Sequence, residues 1–230
     1  ELLQPLLERP LTDPRLLGLA GQVFVANGDF EKAEDFFQRA ATAAPEDPQA
    51  RLRLGAMRMA GGDAAGAFAD FESASAMDDN AIQADLALVA THLRRGEFDK
   101  ALQAQERLER KAPQNPLIHN LRGGVMLGKG DMAGARAAFD QALALNPDYL
   151  AAALNFARLD IVEGKTPEGL ARIRALADRN EKSVEARFVL ADLQLATAAT
   201  PTELFATLER AEAAAPGTIP PALAIIYHHL

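Results

Sequence analysis

Four near-copies of one thirteen-residue word begin at Gly28, Gly62, Gly96 and Gly130, a spacing of 34 residues each time. They read GDFEKAEDFFQRA (28–40), GDAAGAFADFESA (62–74), GEFDKALQAQERL (96–108) and GDMAGARAAFDQA (130–142). A fixed period of about 20 to 50 residues marks a solenoid, in which one unit cannot bury its apolar face without its neighbours. For a chain of 230 residues this period outweighs the length-based expectation of one or two globular domains.

The unit from Pro14 to Asp47 shows what is repeated. Leu17, Ala20, Gly21 and Phe24 fall on one face of a helix by their i, i+3, i+4, i+7 spacing. Gly28 then suits a left-handed helix stop, and Asp29 suits the cap of a following helix. Phe30, Ala33, Phe37 and Ala40 form a second stripe facing the first, and Pro45 ends it. The unit is helix, tight turn, helix, stop. Shifts of 34 carry Gly21, Ala33, Phe37 and Ala40 onto Gly55, Ala67, Phe71 and Ala74, and later onto Gly123, Ala135, Phe139 and Ala142. The alanines Ala33, Ala67, Ala101 and Ala135 are expected where paired helices approach most closely. The sixth unit lacks the turn glycine and reaches Ala211 and Pro216 one residue late, which places an inserted residue in the loop 196–201.

This pattern resembles the tetratricopeptide repeat, whose small, alanine, aromatic, alanine and proline positions map onto Gly21, Ala33, Phe37, Ala40 and Pro45. The resemblance covers roughly residues 14–216 and implies an all-α fold, a right-handed α-α superhelical solenoid of six helix pairs. The repeats are 14–47, 48–81, 82–115, 116–149, 150–183 and 184–217, with half-repeats at 1–13 and 218–230. The expectation is one solenoid segment over 1–230, cut from a longer array. The chain departs from the family at the fourth position, where tryptophan is preferred and Leu17, Arg51, Asp85, His119, Ala153 and Arg187 stand instead.

Catalytic chemistry is hard to find. The four histidines, His92, His119, His228 and His229, form no HExxH and have no cysteine or acidic cluster at ligand spacing, so no metal is expected. His92 and His119 occupy helix positions that usually hold packing residues. Ser73, Ser75 and Ser183 lie outside any GxSxG, and no GxxxxGK[ST] loop occurs. The carboxylates read as solvated groups on outer helix faces. No catalytic residue and no cofactor are expected. A net charge of −8 argues against a nucleic-acid surface, and no apolar run approaches the ~18 residues that would span a membrane. The lack of cysteine excludes disulfides and thiol catalysis and fits a cytoplasmic or a periplasmic address.

Function is then expected in a surface. The resemblance implies that first helices line a concave face, with the fifth, ninth and twelfth positions of each unit pointing into it. The fifth position reads Gly18, Leu52, Leu86, Asn120, Leu154 and Phe188; the ninth reads Gln22, Ala56, Ala90, Gly124, Arg158 and Asp192. The partner-binding groove is therefore expected to consist of Leu52, Leu86, Asn120, Leu154, Arg158, Phe188 and Asp192, taking a protein or peptide. Asn120 would interrupt the apolar strip and fix register, while Arg158 and Asp192, at the same position in adjacent repeats, would face each other, with an ion pair between them left open. A carboxylate clamp is not expected, because its lysine and asparagine slots hold leucine and alanine. Glycan binding is disfavoured, since Tyr149 and Tyr227 are the only tyrosines and there is no tryptophan.

The stretches NPLIHNLRG (115–123), GDMAGARAAFDQALALNPDYLAA (130–152) and LNFARLD (154–160) are similar to the repeat lipoproteins of the bacterial PEP-CTERM and exopolysaccharide system. That resemblance implies a periplasmic array anchored by a lipidated cysteine upstream, serving polysaccharide export or sorting of tagged proteins. The alternatives are a cytosolic adaptor with an unrelated client, and a regulatory array attached to an enzyme domain outside this segment.

Overall fold

The computed structural model describes residues 11–77, 82–181, 183–218 and 220. Most of the half-repeat at 218–230, with Tyr227, His228 and His229, and most of the half-repeat at 1–13 lie outside the described residues. Among the described residues there are twelve α-helices and no strand. The first helices of the six pairs are α1 (Pro14–Ala26), α3 (Pro48–Gly61), α5 (Ile82–Arg94), α7 (Pro116–Gly128), α9 (Leu150–Val162) and α11 (Val184–Ala196). The second helices are α2 (Phe30–Ala43), α4 (Ala64–Met77), α6 (Phe98–Lys111), α8 (Met132–Leu145), α10 (Thr166–Arg179) and α12 (Pro201–Ala214). First helices begin every 34 residues throughout, and second helices do so through α10. The fold is an all-α solenoid.

Local chemistry sets these boundaries. Asp13, Asp47 and Asn115 cap α1, α3 and α7 by accepting from the backbone N–H of Arg15 (2.8 Å), Gln49 (2.9 Å) and Leu117 (3.0 Å). A proline follows each cap at the first helical position, where its missing N–H costs nothing and its fixed φ suits the helix. Asp29, Asp63 and Asp131 do the same for second helices through Lys32, Gly66 and Gly134.

The turn between paired helices needs a left-handed residue. Gly28, Gly62, Gly96, Gly130 and Gly164 supply it, with φ between 69° and 90°. The sixth pair keeps the geometry without the glycine: Ala198, 34 residues beyond Gly164, holds φ at 52°. The extra residue then lies between Ala198 and Pro201, where α12 starts one position late. An L-residue in this region is strained by about 1–2 kcal/mol, offset partly by the larger backbone entropy of glycine in the unfolded chain. Ala198→Gly is accordingly expected to stabilise the fold by about 0.5–1 kcal/mol. An unchanged or lowered thermal midpoint would show the strain to be absent.

Each pair closes through complementary sizes at its eighth and twenty-fourth positions. A Cβ on Gly21 would come within 2.6 Å of the Phe37 ring, and one on Gly55 within 2.7 Å of Phe71. Gly123 faces Phe139 in the same way. Where the aromatic is absent the small partner grows: Val89 goes with Gln105, Ala157 with Ile173, and Ala191 with Leu208, all of them buried. Ala33, Ala67, Ala101 and Ala135 are completely buried, as expected at the closest approach of two helices.

The chain divides into two compact units, residues 1–113 and 114–230, each holding three repeats. In the first, Phe37, Ala41, Leu54 and Met57 form core between the first two repeats. In the second, Ala153, Ala157, Ile173, Leu176, Ala186 and Leu190 join the fifth repeat to the sixth.

Candidate functional site

The first helices carry the residues expected to bind a partner. In the first unit Leu52 and Leu86 are half-buried, and the ninth-position Ala56 and Ala90 beside them are exposed. In the second unit Leu154 is half-buried and packs against the core of the fifth and sixth repeats. Phe188 packs against Ala191, Leu204 and Leu208. Arg158 and Asp192 are both exposed, and no ion pair joins them. Asn120 departs from expectation. It is 9 % exposed, and its amide oxygen accepts from Asn155 Nδ2 at 3.0 Å. It further shares a hydrogen bond with Tyr149, whose hydroxyl burial pushes above the usual phenol range. Its polar atoms are used inside the unit, so it does not offer them as a register mark.

The carboxylates hold a second correction. Most are exposed, but Asp70, Asp85 and Asp160 are buried. Asp70 accepts from Arg58 at 2.7 Å and from Arg51 at 3.4 Å. Asp160 accepts from Arg136 at 2.7 Å and from Arg172 at 3.1 Å. Asp85 is fully buried and lies 2.8 Å from Ser75 Oγ, 2.9 Å from Arg107 Nε and 2.8 Å from Lys111 Nζ. Burial pushes the Asp85 carboxyl up, but the bonds from Lys111, Arg107 and Ser75 together outweigh it and hold the group below its ordinary value. Such charges leave water only because each finds an opposite charge and hydrogen bonds inside. His92 and His119 are buried as packing residues; His92 lies against Phe68, ring centroids 4.6 Å apart, with Nδ1 2.8 Å from Glu97 Oε2.

Cavities open elsewhere than on the first-helix face alone. Each of three is lined by two consecutive second helices and the first helix between them. One of 360 Å³ in the first unit is lined by Phe68, Glu72, His92, Lys100 and Arg107. In the second unit one of 270 Å³ is lined by Leu143, Ala153, Arg172 and Leu176, and one of 250 Å³ by Arg174, Arg187, Glu203 and Arg210. Among the described residues no group of three His, Asp or Glu is placed to hold a metal ion, and no helix is long and apolar enough to cross a membrane.

One tetratricopeptide repeat family model matches residues 13–82 and 86–149, more than half the chain, and another matches 126–193. The chain belongs to the tetratricopeptide repeat family. No curated protein matches it in sequence. Among solved structures it is similar to a tetratricopeptide repeat protein from Parabacteroides merdae, with a TM-score of 0.66 at 18% identity over 94% of this chain and 97% of that one. The pilF protein of Pseudomonas aeruginosa gives 0.65 at 16% identity, covering 94% and 95%. MamA of Desulfovibrio magneticus gives 0.63 at 17%, covering 74% of this chain and 96% of that one. At these identities the likeness is one of fold.

In this tetratricopeptide repeat protein the fourth-position slot remains interior although tryptophan never fills it. Leu17, Asp85, His119, Ala153 and Arg187 are buried there, and Arg51 is half-buried. Asp85 was visible in the sequence as a charge in a core slot. That was the signal from which a buried ion pair could have been inferred, since a charge in such a slot demands a partner.

Proposed function

We propose that this chain is a non-catalytic scaffold that holds a protein or peptide partner on the face of its first helices. The observation that carries the reading is the alternation there of half-buried apolar side chains, Leu52 and Leu86 in the first unit, with exposed small ones, Ala56 and Ala90. In the second unit Leu154 and Phe188 lie on helices that also expose Arg158 and Asp192. Small exposed neighbours leave room for a ligand backbone, and apolar side chains of a docked segment gain by covering the leucines. Family membership supports a protein partner in preference to a nucleic acid, as does the net charge of −8.

The narrower context is a bacterial exopolysaccharide or PEP-CTERM envelope system. The support for it is the sequence likeness at 115–123, 130–152 and 154–160. A periplasmic address with an upstream lipid anchor follows from the same likeness.

Leu154 contributes to the core, so an acidic residue there would damage the fold as well as the surface. The exposed alanines give a cleaner test. Ala56→Glu with Ala90→Glu is expected to retain wild-type helicity and to reduce capture of the partner from the source cell's envelope fraction by at least about tenfold, the effect of losing roughly 1.4 kcal/mol. Undiminished capture by the double variant would move binding to another face. Capture from the cytosolic fraction and not from the envelope would overturn the envelope context.

A further inference from the structure

The geometry points to a carboxylate-binding site in the second unit: the cavity between α10, α11 and α12 takes an acidic side chain of a protein partner, with Arg187 as its buried cation. Four side chains of full formal charge are buried among the described residues, namely Asp70, Asp85, Asp160 and Arg187. The three aspartates are each held by two or more cationic or hydroxyl donors. Arg187 is 8 % exposed, and its guanidinium donates from Nη1 to the carbonyl of Ser183 at 3.0 Å, with no carboxylate in ion-pair reach. A buried cation without a counter-charge is costly, and an incoming anion would remove that cost.

The repeat itself identifies the missing group. Arg187 occupies the place in the sixth repeat that Asp85 occupies in the third. Arg210 stands where Arg107 stands, allowing for the inserted residue, and Arg174 stands where Glu72 stands. In the third repeat the carboxylate of Asp85 receives Arg107 Nε at 2.9 Å. In the sixth, three arginines line a 250 Å³ cavity and the internal carboxylate is gone. Lys111, which fills out the earlier arrangement, is replaced by Ala214. Asp178 and Glu203 also line or rim the cavity but hold their arginines loosely, Arg210–Asp178 at 3.3 Å and Arg174–Glu203 at 3.9 Å. Three cations against two acids leave a single positive charge, which suits a carboxylate better than a phosphate dianion. The site lies apart from the first-helix strip, so failure of either leaves the other standing.

The test is a titration of the isotope-labelled 230-residue chain, following the Arg187 Nε–H resonance by NMR. The probes are the capped peptide acetyl-Glu-Ala-Glu-amide, its glutamine counterpart and inorganic phosphate. Saturable movement with the acidic peptide alone is expected. Arg187→Asp restores an acid beside Arg210, so it should raise the melting temperature while weakening binding of the peptide by at least about tenfold. Arg174→Gln alters a side chain that is 44% exposed, so the fold should be unaffected while binding weakens severalfold. An equal response to the glutamine peptide, tighter saturation by phosphate, or unaltered affinity in Arg174→Gln would each overturn the assignment.

Discussion

Replacing Asp85 with alanine is expected to cost the fold about 3–5 kcal/mol, the usual penalty for removing one member of a buried ion pair. The loss arises from what is left behind. Lys111 has a side chain only 10% exposed, and it would face an apolar methyl where a carboxylate had stood 2.8 Å away. Arg107 would keep only the longer contact to Glu72, at 3.5 Å. Ser75 Oγ would lose its acceptor. Asp85→Asn keeps the shape and one acceptor oxygen, so its loss should be smaller. Urea denaturation followed by helicity measures both, and a change below about 1 kcal/mol for the alanine variant would show that the cations relax into solvent.

The same pair sets a pH dependence. Because the folded carboxyl titrates below its unfolded value, the pair's contribution is fully present above the ordinary aspartate pKa of about 3.9. It is lost as pH falls through the lower folded value. The stability gap between wild type and Asp85→Ala should therefore stay constant near neutrality and close in acid below about pH 4.

The period made most of the fold legible. Helix starts at 14, 48, 82, 116 and 150 follow from one 34-residue rule, because a solenoid repeats its backbone along with its sequence. The turn glycines and the buried alanines follow for the same reason. What differs between repeats was less legible. Asp160 meets Arg136 and Arg172, which lie 24 and 12 residues away in sequence, and nothing in local periodicity selects those two from the other arginines. The candidate strip was legible as a set of positions but not as an environment. Helix spacing places Leu154, Phe188 and Asn120 on one side of their helices, yet the depth to which neighbouring helices cover that side depends on packing. Hence Leu154 and Phe188 contribute to cores, and Asn120 bonds Asn155.

The matched pair Gly123 and Phe139 supports an experiment on the packing itself. Phe139 is completely buried, 6.1 Å from the ring of Phe156 by centroids, and packs with Ala135 and Leu159. Phe139→Ala is expected to cost about 3–5 kcal/mol through lost burial and the cavity that remains. Gly123→Ala gains up to about 1 kcal/mol of helix propensity, but its methyl would drive into the Phe139 ring, and overpacking costs about 1–3 kcal/mol. Because that ring has no solvent-facing side to move toward, the loss should win. Phe139→Ile with Gly123→Ala copies the combination of Ile173 and Ala157 one repeat later, where both fit. In the isoleucine background the methyl has room, so Gly123→Ala should change sign and stabilise. The expected coupling is about 1–3 kcal/mol, as for residues in direct contact. If Gly123→Ala instead changes stability by the same amount in both backgrounds, the glycine is not there to admit the ring.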